Sequence, residues 1–185
     1  MVAAILVAGC TSRKPKPQPA APPEAEEEKP ALPEHVRLGG GDFVLTAPEG
    51  GRLWQGSGKS FDWDTQAQTA VLTDAKGTFF EAGKPALEGA ASRIRVDTKA
   101  RVVYLDEGVQ ASSPVTGAAF SADRAEWRAD EQKVYGQGNV KVVRGQSEAS
   151  ADRLVADTAL KRVRLEGEGR PVTLRIVQTP GKALW

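Results

Sequence analysis

The chain has 185 residues, with 25 Lys and Arg against 24 Asp and Glu, so its net charge at neutral pH is +1. This length fits one domain of common size with an appendage, and the balanced charge lacks the positive field that nucleic-acid-binding proteins need. One Cys and one His exclude a disulfide framework and a zinc site built from several of these residues. Because Cys10 and His35 both precede the main domain, that domain offers no thiol or imidazole for nucleophilic or acid–base catalysis. We predict no catalytic residues, no metal, no cofactor and no enzyme.

Residues 1–10 form a short apolar stretch that ends at Cys10. It is far shorter than the roughly 20 residues of a membrane-spanning helix. The sequence Val7-Ala8-Gly9-Cys10 resembles a lipobox, in which the Cys thiol takes the lipid, so we predict a lipoprotein signal with Cys10 as the lipid anchor. Signal peptides carry a cationic segment before the apolar run, and since none precedes Cys10 we expect the translation start upstream of Met1. The alternative is an apolar first strand with a buried Cys.

Residues 11–40 differ sharply in composition from the C-terminal part of the chain. Seven of the twelve prolines lie between Pro15 and Pro33, together with an acidic run over residues 24–28. Such a sequence is too poor in apolar residues to form a core, so we predict a disordered, semi-rigid tether. The acidic run and His35 are interpreted as solvated linker without a ligand role.

The remaining residues, 41–185, are predicted to form one domain that repeats a single unit four times. Each unit contains two small or apolar anchors seven residues apart, and the first anchors are spaced by 33, 31 and 29 residues. The anchor pairs are Trp63 and Ala70, Val96 and Val103, Trp127 and Val134, and Ala156 and Val163. Two positions outside each pair lie further members of the same set: Phe61 and Leu72, Ile94 and Leu105, Ala125 and Gly136, and Leu154 and Leu165. The intervening positions are mostly polar, which is the period-two pattern of half-buried β-strands.

Turn-forming residues separate the anchors of every unit. The turns are predicted at Asp64–Ala67, Asp97–Ala100, Asp130–Lys133 and Asp157–Leu160, where Asp side chains can bond the backbone. Each unit is therefore a β-hairpin, and Gly108, Gly136, Gly138, Gly167 and Gly169 are expected to punctuate strands or mark bulges. We predict an all-β fold, an elongated antiparallel jellyroll of two stacked sheets with about ten to fourteen strands. Such sheets stay open at both ends, and open edges recruit further strands.

The segment Trp127–Val140 and the related Val96–Leu105 resemble the repeated hairpin of the OstA-like family, which contains the periplasmic LptA and LptC proteins of lipopolysaccharide export. The resemblance covers residues 41–175, and an anchor followed by one jellyroll is most similar to the LptC branch. It implies a periplasmic, membrane-anchored protein of a Gram-negative envelope that binds lipopolysaccharide or a similar glycolipid and passes it along a bridge of stacked jellyrolls. The implied partners are other jellyroll proteins and an inner-membrane ABC transporter. The sequence leaves open which membrane carries the anchor.

The apolar set would line a groove for the acyl chains of lipid A, because exposure of hydrocarbon to water costs about 0.8 kcal/mol per methylene. The same residues would equally form an ordinary dry core, and the residues alone leave both interpretations open. The groove candidates are Phe61, Trp63, Leu72, Ile94, Val96, Val103, Leu105, Trp127, Val134, Val140, Val142, Leu154, Val163 and Leu165.

Two other classes of protein remain open: a structural β-solenoid of the envelope with a dry core, and an enzyme with paired carboxylates. Uneven repeat spacing disfavours the first, and the regular outward placement of Asp and Glu disfavours the second.

The candidate docking strand is Val172–Val177, in which apolar and polar residues alternate and which Pro171 and Pro180 flank. The alternative docking strand is the first strand, near Phe43–Thr46.

Overall fold

The computed structural model describes residues 34–169 and 171–176, which form twelve antiparallel strands and contain no helix. The strands are β1 (His35–Leu38), β2 (Gly41–Thr46), β3 (Arg52–Gly58), β4 (Ser60–Asp64), β5 (Thr69–Glu81), β6 (Lys84–Asp97), β7 (Val102–Ser112), β8 (Ala118–Arg128), β9 (Lys133–Arg144), β10 (Ser147–Asp157), β11 (Val163–Glu166) and β12 (Thr173–Ile176). The predicted all-β class is confirmed. No helix of the described residues is long and apolar enough to cross a membrane.

The repeated hairpin is confirmed residue by residue. The two anchors of every unit are direct cross-strand partners, and so are the residues two positions outside them. Trp63 lies opposite Ala70, for example, and Trp127 lies opposite Val134. The alternation in the sequence therefore reports the strand register itself, because partners on one face of an antiparallel pair are buried together.

The folded domain begins earlier than the sequence predicted. His35–Leu38, which we assigned to the end of the linker, forms β1 and pairs with β4. Val36 lies opposite Trp63 and Leu38 opposite Phe61, while the Arg37 guanidinium bonds the Asp62 carboxylate at 2.8 Å. The composition of residues 11–40 concealed this short strand, since only its alternation and its ion pair distinguish it from the polar segment before it.

A line of bulges divides the long strands β5–β10 into two halves, and these halves form two leaves. Leaf one contains β1, β4, β11 and the halves next to the four predicted turns, and leaf two contains β2, β3, β12 and the other halves. Register shifts between Ala90 and Arg93, and between Ser121 and Arg124, mark this line. Because bulges bend and twist strands, they fold the sheet on itself.

Gly138 lies in this bulge line, where the side chain of Asp123 approaches its backbone closely. Its φ is +78°, and a Cβ atom there would lie 2.3 Å from Oδ2 of Asp123, so only Gly fits. The neighbouring Asn139, with φ +45°, donates from Nδ2 to the same oxygen at 2.9 Å. Gly108, with φ +73°, lies in the β7 bulge, so both glycines mark bulges as predicted.

The hairpin turns of leaf one are joined to each other by backbone hydrogen bonds, forming a turn ladder. A residue near the start of each turn donates its N–H to a carbonyl of the preceding turn or strand. The bonds run from Thr65 to Glu34, from Thr98 to Gln68, from Ala129 to Arg101 and from Thr158 to Gln132, at 3.0 to 3.1 Å. Backbone groups that a loop would expose are paired in this way, so the repeats stack in fixed order.

Opposite the bulge line, the rims of the two leaves meet. Thr116, in the β7–β8 loop of leaf two, donates from Oγ1 to the carbonyl of Ala159 in the last turn of leaf one at 3.1 Å. Lys161 of the same turn lies 3.6 Å from the Glu81 carboxylate at the end of β5. Ala159 and Leu160 are buried, so this turn packs into the core. The interior is thus bounded by the bulge line on one side and by these contacts on the other.

The sheet does not close on itself. Its described strand order ends at β1 and β2 toward the N-terminus, and at β11 and β12 toward the C-terminus. The two leaves therefore have two pairs of free strand edges, one pair at each end.

Candidate functional site

The interior between the leaves holds one apolar cluster, and all fourteen groove candidates belong to it or pack against it. Ten of them are buried: Phe61, Leu72, Ile94, Val96, Val103, Leu105, Trp127, Val134, Val140 and Leu154. The other four are half-buried: Trp63, Val142, Val163 and Leu165. Alternation therefore identified inward-facing positions correctly, although burial alone does not distinguish a groove from a core.

Three of the four half-buried members, all except Val142, lie toward the open ends. Trp63 is in β4, one strand from the β1 edge, and Val163 and Leu165 are in the edge strand β11. At the N-terminal end Phe43 of leaf two stacks on Phe61 and contacts Trp63 of leaf one, with ring centroids 5.6 and 5.7 Å apart. Partly exposed aromatic rings therefore form the rim of the interior at this end.

A continuous row of rings runs inward from that rim. Phe43 lies 6.3 Å from Trp54, Trp54 lies 6.2 Å from Phe79, and Phe79 meets Trp127 edge-on at 5.1 Å. Trp54, Phe79 and Trp127 are at most 1% exposed. In the described state these side chains fill the interior, so an acyl chain enters only if some of them move.

Apart from Val140 and Val142, the sequence did not identify the leaf-two part of the interior, where Trp54, Phe79, Leu87 and Phe120 are buried. In β6 the buried positions change from odd numbers around Leu87 to even numbers at Ile94, because the bulge line shifts the alternation by one residue. A pattern extended from the turn-side anchors thus loses register beyond the bulge. The separate alternation within each half-strand is the signal that could have found them.

The outward face of leaf one is charged. Arg95 lies over the ring of Tyr104 at 3.8 Å from its centroid, and Asp106 lies 3.9 Å from Arg124 on the next strand. These cross-strand pairs stabilise a solvated face by small amounts each.

Titratable groups with shifted pKa values lie on the surface near the turn ladder. The hydrogen bonds from the Arg101 guanidinium lower the pKa of Asp130. A hydrogen bond from the Tyr135 hydroxyl, aided by Arg128, lowers the pKa of Glu131, and the same bond raises the pKa of Tyr135. These shifts come from exposed ion pairs and not from burial in a sheltered cleft, so they do not assemble a catalytic acid and base.

The outward face of leaf two carries an open trough of about 940 Å³. Small and polar side chains line it, including Ser57, Thr78, Ser112 and Ser121, with Lys76 among the charged groups. None of the fourteen groove candidates contributes to its lining, although the core residues Ala111 and Phe120 and three inward-facing glycines border it. The trough therefore lies over the backbone of leaf two, whose apolar side chains face the interior.

The last strand of the described residues presents exposed apolar side chains. β12 pairs with residues Ser147–Ser150 of β10, and Leu174 and Ile176 are 64% and 61% exposed. Val172 just before it is also exposed. This is the segment that the sequence analysis selected as the candidate docking strand. Cys10 and the lipobox lie outside the described residues.

The interior is apolar, and removing hydrocarbon from water into apolar surroundings is worth about 0.8 kcal/mol per methylene. Among residues 34–169 and 171–176, no three His, Cys, Asp or Glu side chains are grouped to hold a metal ion.

The comparisons with known proteins agree with this geometry. The family model for LptC, described as "Lipopolysaccharide-assembly, LptC-related", matches residues 1–172. No curated protein matches the sequence. Among solved structures, the chain is similar to LptH of Pseudomonas aeruginosa, the LptA-homologous periplasmic component of its lipopolysaccharide transport device, with a TM-score of 0.57. The two share 13% identity over 68% of this chain and 95% of that one, which supports the LptA-like jellyroll fold.

The LptC-related proteins act in lipopolysaccharide transport in the periplasm of Gram-negative bacteria. Since its model matches almost the whole sequence, and the open two-leaf fold agrees with it, the chain belongs to the LptC-related family of lipopolysaccharide-assembly proteins.

Proposed function

We propose that this protein binds the acyl chains of lipopolysaccharide between its two leaves and passes the lipid to a neighbouring jellyroll. The observation that carries the proposal is the open sheet: an apolar interior continues between free edges at both ends. Acyl chains of about a dozen carbons cost on the order of 10 kcal/mol each in water, so transport needs such a shelter.

The filled interior favours a second candidate, a structural envelope protein with a dry core. Trp54, Phe79 and Trp127 pack against each other and leave no exposed apolar floor between them. The two candidates differ in one measurable property, the binding of hydrocarbon.

Native mass spectrometry of the full-length protein with hexa-acylated lipid A distinguishes them. The transport proposal predicts a complex with lipid A and none with the same disaccharide after removal of its acyl chains. Binding of neither compound would favour the dry core, and equal binding of both would assign recognition to the polar headgroup.

Transfer of lipid requires a neighbouring protein, and the strand edges at the two ends of the sheet can bind one. β12 exposes Leu174 and Ile176 and is paired on one side by β10, while β1 and β2 end the sheet at the other extremity. Unpaired strand edges recruit strands of another chain. We propose that β12 docks onto another jellyroll of the export bridge and that the first edge faces the ABC transporter side.

Membrane attachment is proposed through lipidated Cys10, on the strength of the Val7–Cys10 lipobox. Labelled fatty acid should enter the full reading frame of the wild type and not the Cys10→Ser variant. Retention of Cys10→Ser on membranes after salt and carbonate washing would contradict this anchor. Mass spectrometry of the mature N-terminus, with a delipidated control, identifies the modification directly.

A further inference from the structure

Two tryptophans are wholly buried in the interior, and their indole N–H groups differ. Trp127 donates from Nε1 to Oγ1 of Thr158 at 2.9 Å, whereas Nε1 of Trp54 has no hydrogen-bond partner among the described residues. Both side chains are 0% exposed. A buried donor without an acceptor costs free energy that it would recover by reaching water or a carbonyl, so Trp54 is held less firmly than Trp127.

The indole of Trp54 lies on a row of glycines. Gly56, Gly77 and Gly89 are successive cross-strand partners on β3, β5 and β6, on the inward face of leaf two. A Cβ atom at Gly56 would lie 2.2 Å from two atoms of the Trp54 ring, and one at Gly77 would lie 2.6 Å from three, including Nε1. The ring thus occupies a slot whose floor is bare backbone, which exists because these strands carry no side chain there.

The slot lies close to the open end of the interior. Trp54 contacts Phe43, a half-buried ring of the N-terminal rim, and on its other side contacts Phe79 deeper in the core. If the indole turns toward the rim, the space above the glycine row joins the interior to the open end.

We propose that Trp54 closes an internal acyl-chain slot: its indole fills the space above Gly56 and Gly77 in the lipid-free protein and leaves when the end of an acyl chain takes its place. The inference rests on the proposed function, that acyl chains bind between the leaves. A floor of backbone between aromatic walls offers burial and dispersion contacts alone, so the group it accepts is an unbranched hydrocarbon chain. Phe79 is the wall behind the slot, and Trp127, which meets Phe79 edge-on and is held by Thr158, stays in position.

Fluorine NMR of the full chain labelled with 5-fluorotryptophan tests the movement. Trp→Phe variants assign the resonances, and the H₂O/D₂O isotope shift reports contact of each ring with solvent. Without lipid, Trp54 and Trp127 should both lack the shift; with saturating hexa-acylated lipid A, Trp54 should move and acquire it, while Trp127 should not. If lipid A binds and Trp54 stays unchanged, the slot is wrong and the transport function stands. If lipid A does not bind at all, the proposed function fails and the slot with it.

Two variants test, by their affinity for lipid A, whether the Trp54 indole acts as a gate that closes the slot. Trp54→Ala leaves the slot open, so lipid A should bind about five-fold or more tightly. Gly77→Val fills the slot and should weaken binding about tenfold, whereas Thr78→Val, on the outward face of the same strand, should leave it unchanged. Weaker binding by Trp54→Ala would make the indole a contact surface for lipid and overturn the gate, even if Gly77→Val does not fold.

Discussion

Trp127 Nε1 donates a 2.9 Å hydrogen bond to Oγ1 of Thr158, which joins the centre of the apolar interior to the last hairpin turn of leaf one. Thr158 also donates its backbone N–H to the carbonyl of Gln132 in the preceding turn. One buried residue therefore connects the turn ladder to the core. This connection explains why a polar side chain is fully buried at a turn.

Removing the Thr158 hydroxyl should lower the free energy of unfolding mainly when the Trp127 indole is present. We expect Thr158→Val to lower the free energy of unfolding by about 1–3 kcal/mol, because the Trp127 N–H is then buried without an acceptor. In a Trp127→Phe background the same change should cost clearly less, and urea unfolding of the four proteins measures the difference. Equal costs in both backgrounds would mean that the hydroxyl acts through its own bond, in which Thr158 Oγ1 donates to Oε1 of Gln132 at 3.4 Å, and not through Trp127.

The turn ladder also carries an exposed ion pair with a predictable pH dependence. Arg101 donates to both carboxylate oxygens of Asp130 at 2.8 and 2.9 Å and lowers its pKa below the ordinary value of 3.8. A lowered carboxyl pKa contributes stability above the unfolded-state pKa, and this contribution is lost as the pH falls through the folded-state pKa. Asp130→Asn should therefore lower Tm slightly near neutral pH, and this loss of Tm should shrink as the pH falls toward about 2.

The Arg101→Gln background is the control for this measurement. There, Asp130→Asn should shift Tm by the same small amount at both pH values. A pH-dependent difference that persists without Arg101 would assign the effect to another charge.

Docking through β12 should be separable from folding. Leu174→Pro or Ile176→Pro removes one backbone donor from a strand whose side chains are all exposed, so we expect a weaker pull-down of a jellyroll partner with a nearly unchanged circular dichroism melt. Leu154→Pro, at a buried position of β10 that is paired on both sides, should unfold the domain and serves as the positive control for the melt. Global unfolding by either β12 change would make that strand part of the core and move the docking assignment to β2, near Phe43–Thr46.

The turn-side half of the fold was predictable because its signals are local. Asp64 accepts from the N–H of Gln66 and Ala67, and Asp97 accepts from that of Ala100, as the turn residues predicted. Asp130 behaves differently, since it pairs with Arg101 of the neighbouring turn. The two residues are 29 positions apart in the sequence, and their contact depends on how the hairpins stack. No local sequence pattern reports that stacking.

The other half was less predictable, for two physical reasons. The bulge in β6 shifts the alternation, so Leu87 falls out of register with the turn-side anchor Val96. Trp54 lies in β3, which has no turn-side anchor from which a pattern could be extended. Whether buried residues form a core or a groove depends on the free energy of moving them aside for lipid, and alternation carries no information about that quantity. Among the described residues no acceptor reaches the Trp54 N–H, which depends on contacts between distant strands that the sequence pattern does not report.

Site-specific photo-crosslinking tests the central claim, transport of acyl chains between the leaves, most directly. A crosslinker at Val96, Leu105 or Val134, which are at most 3% exposed and face inward, should label lipid A in the intact envelope. One at Arg95 or Lys141, on the outward faces of leaf one and leaf two, should not. Labelling confined to the inward positions is the result predicted by an acyl-chain interior. Equal labelling at both sets of positions would show surface adsorption and contradict the account.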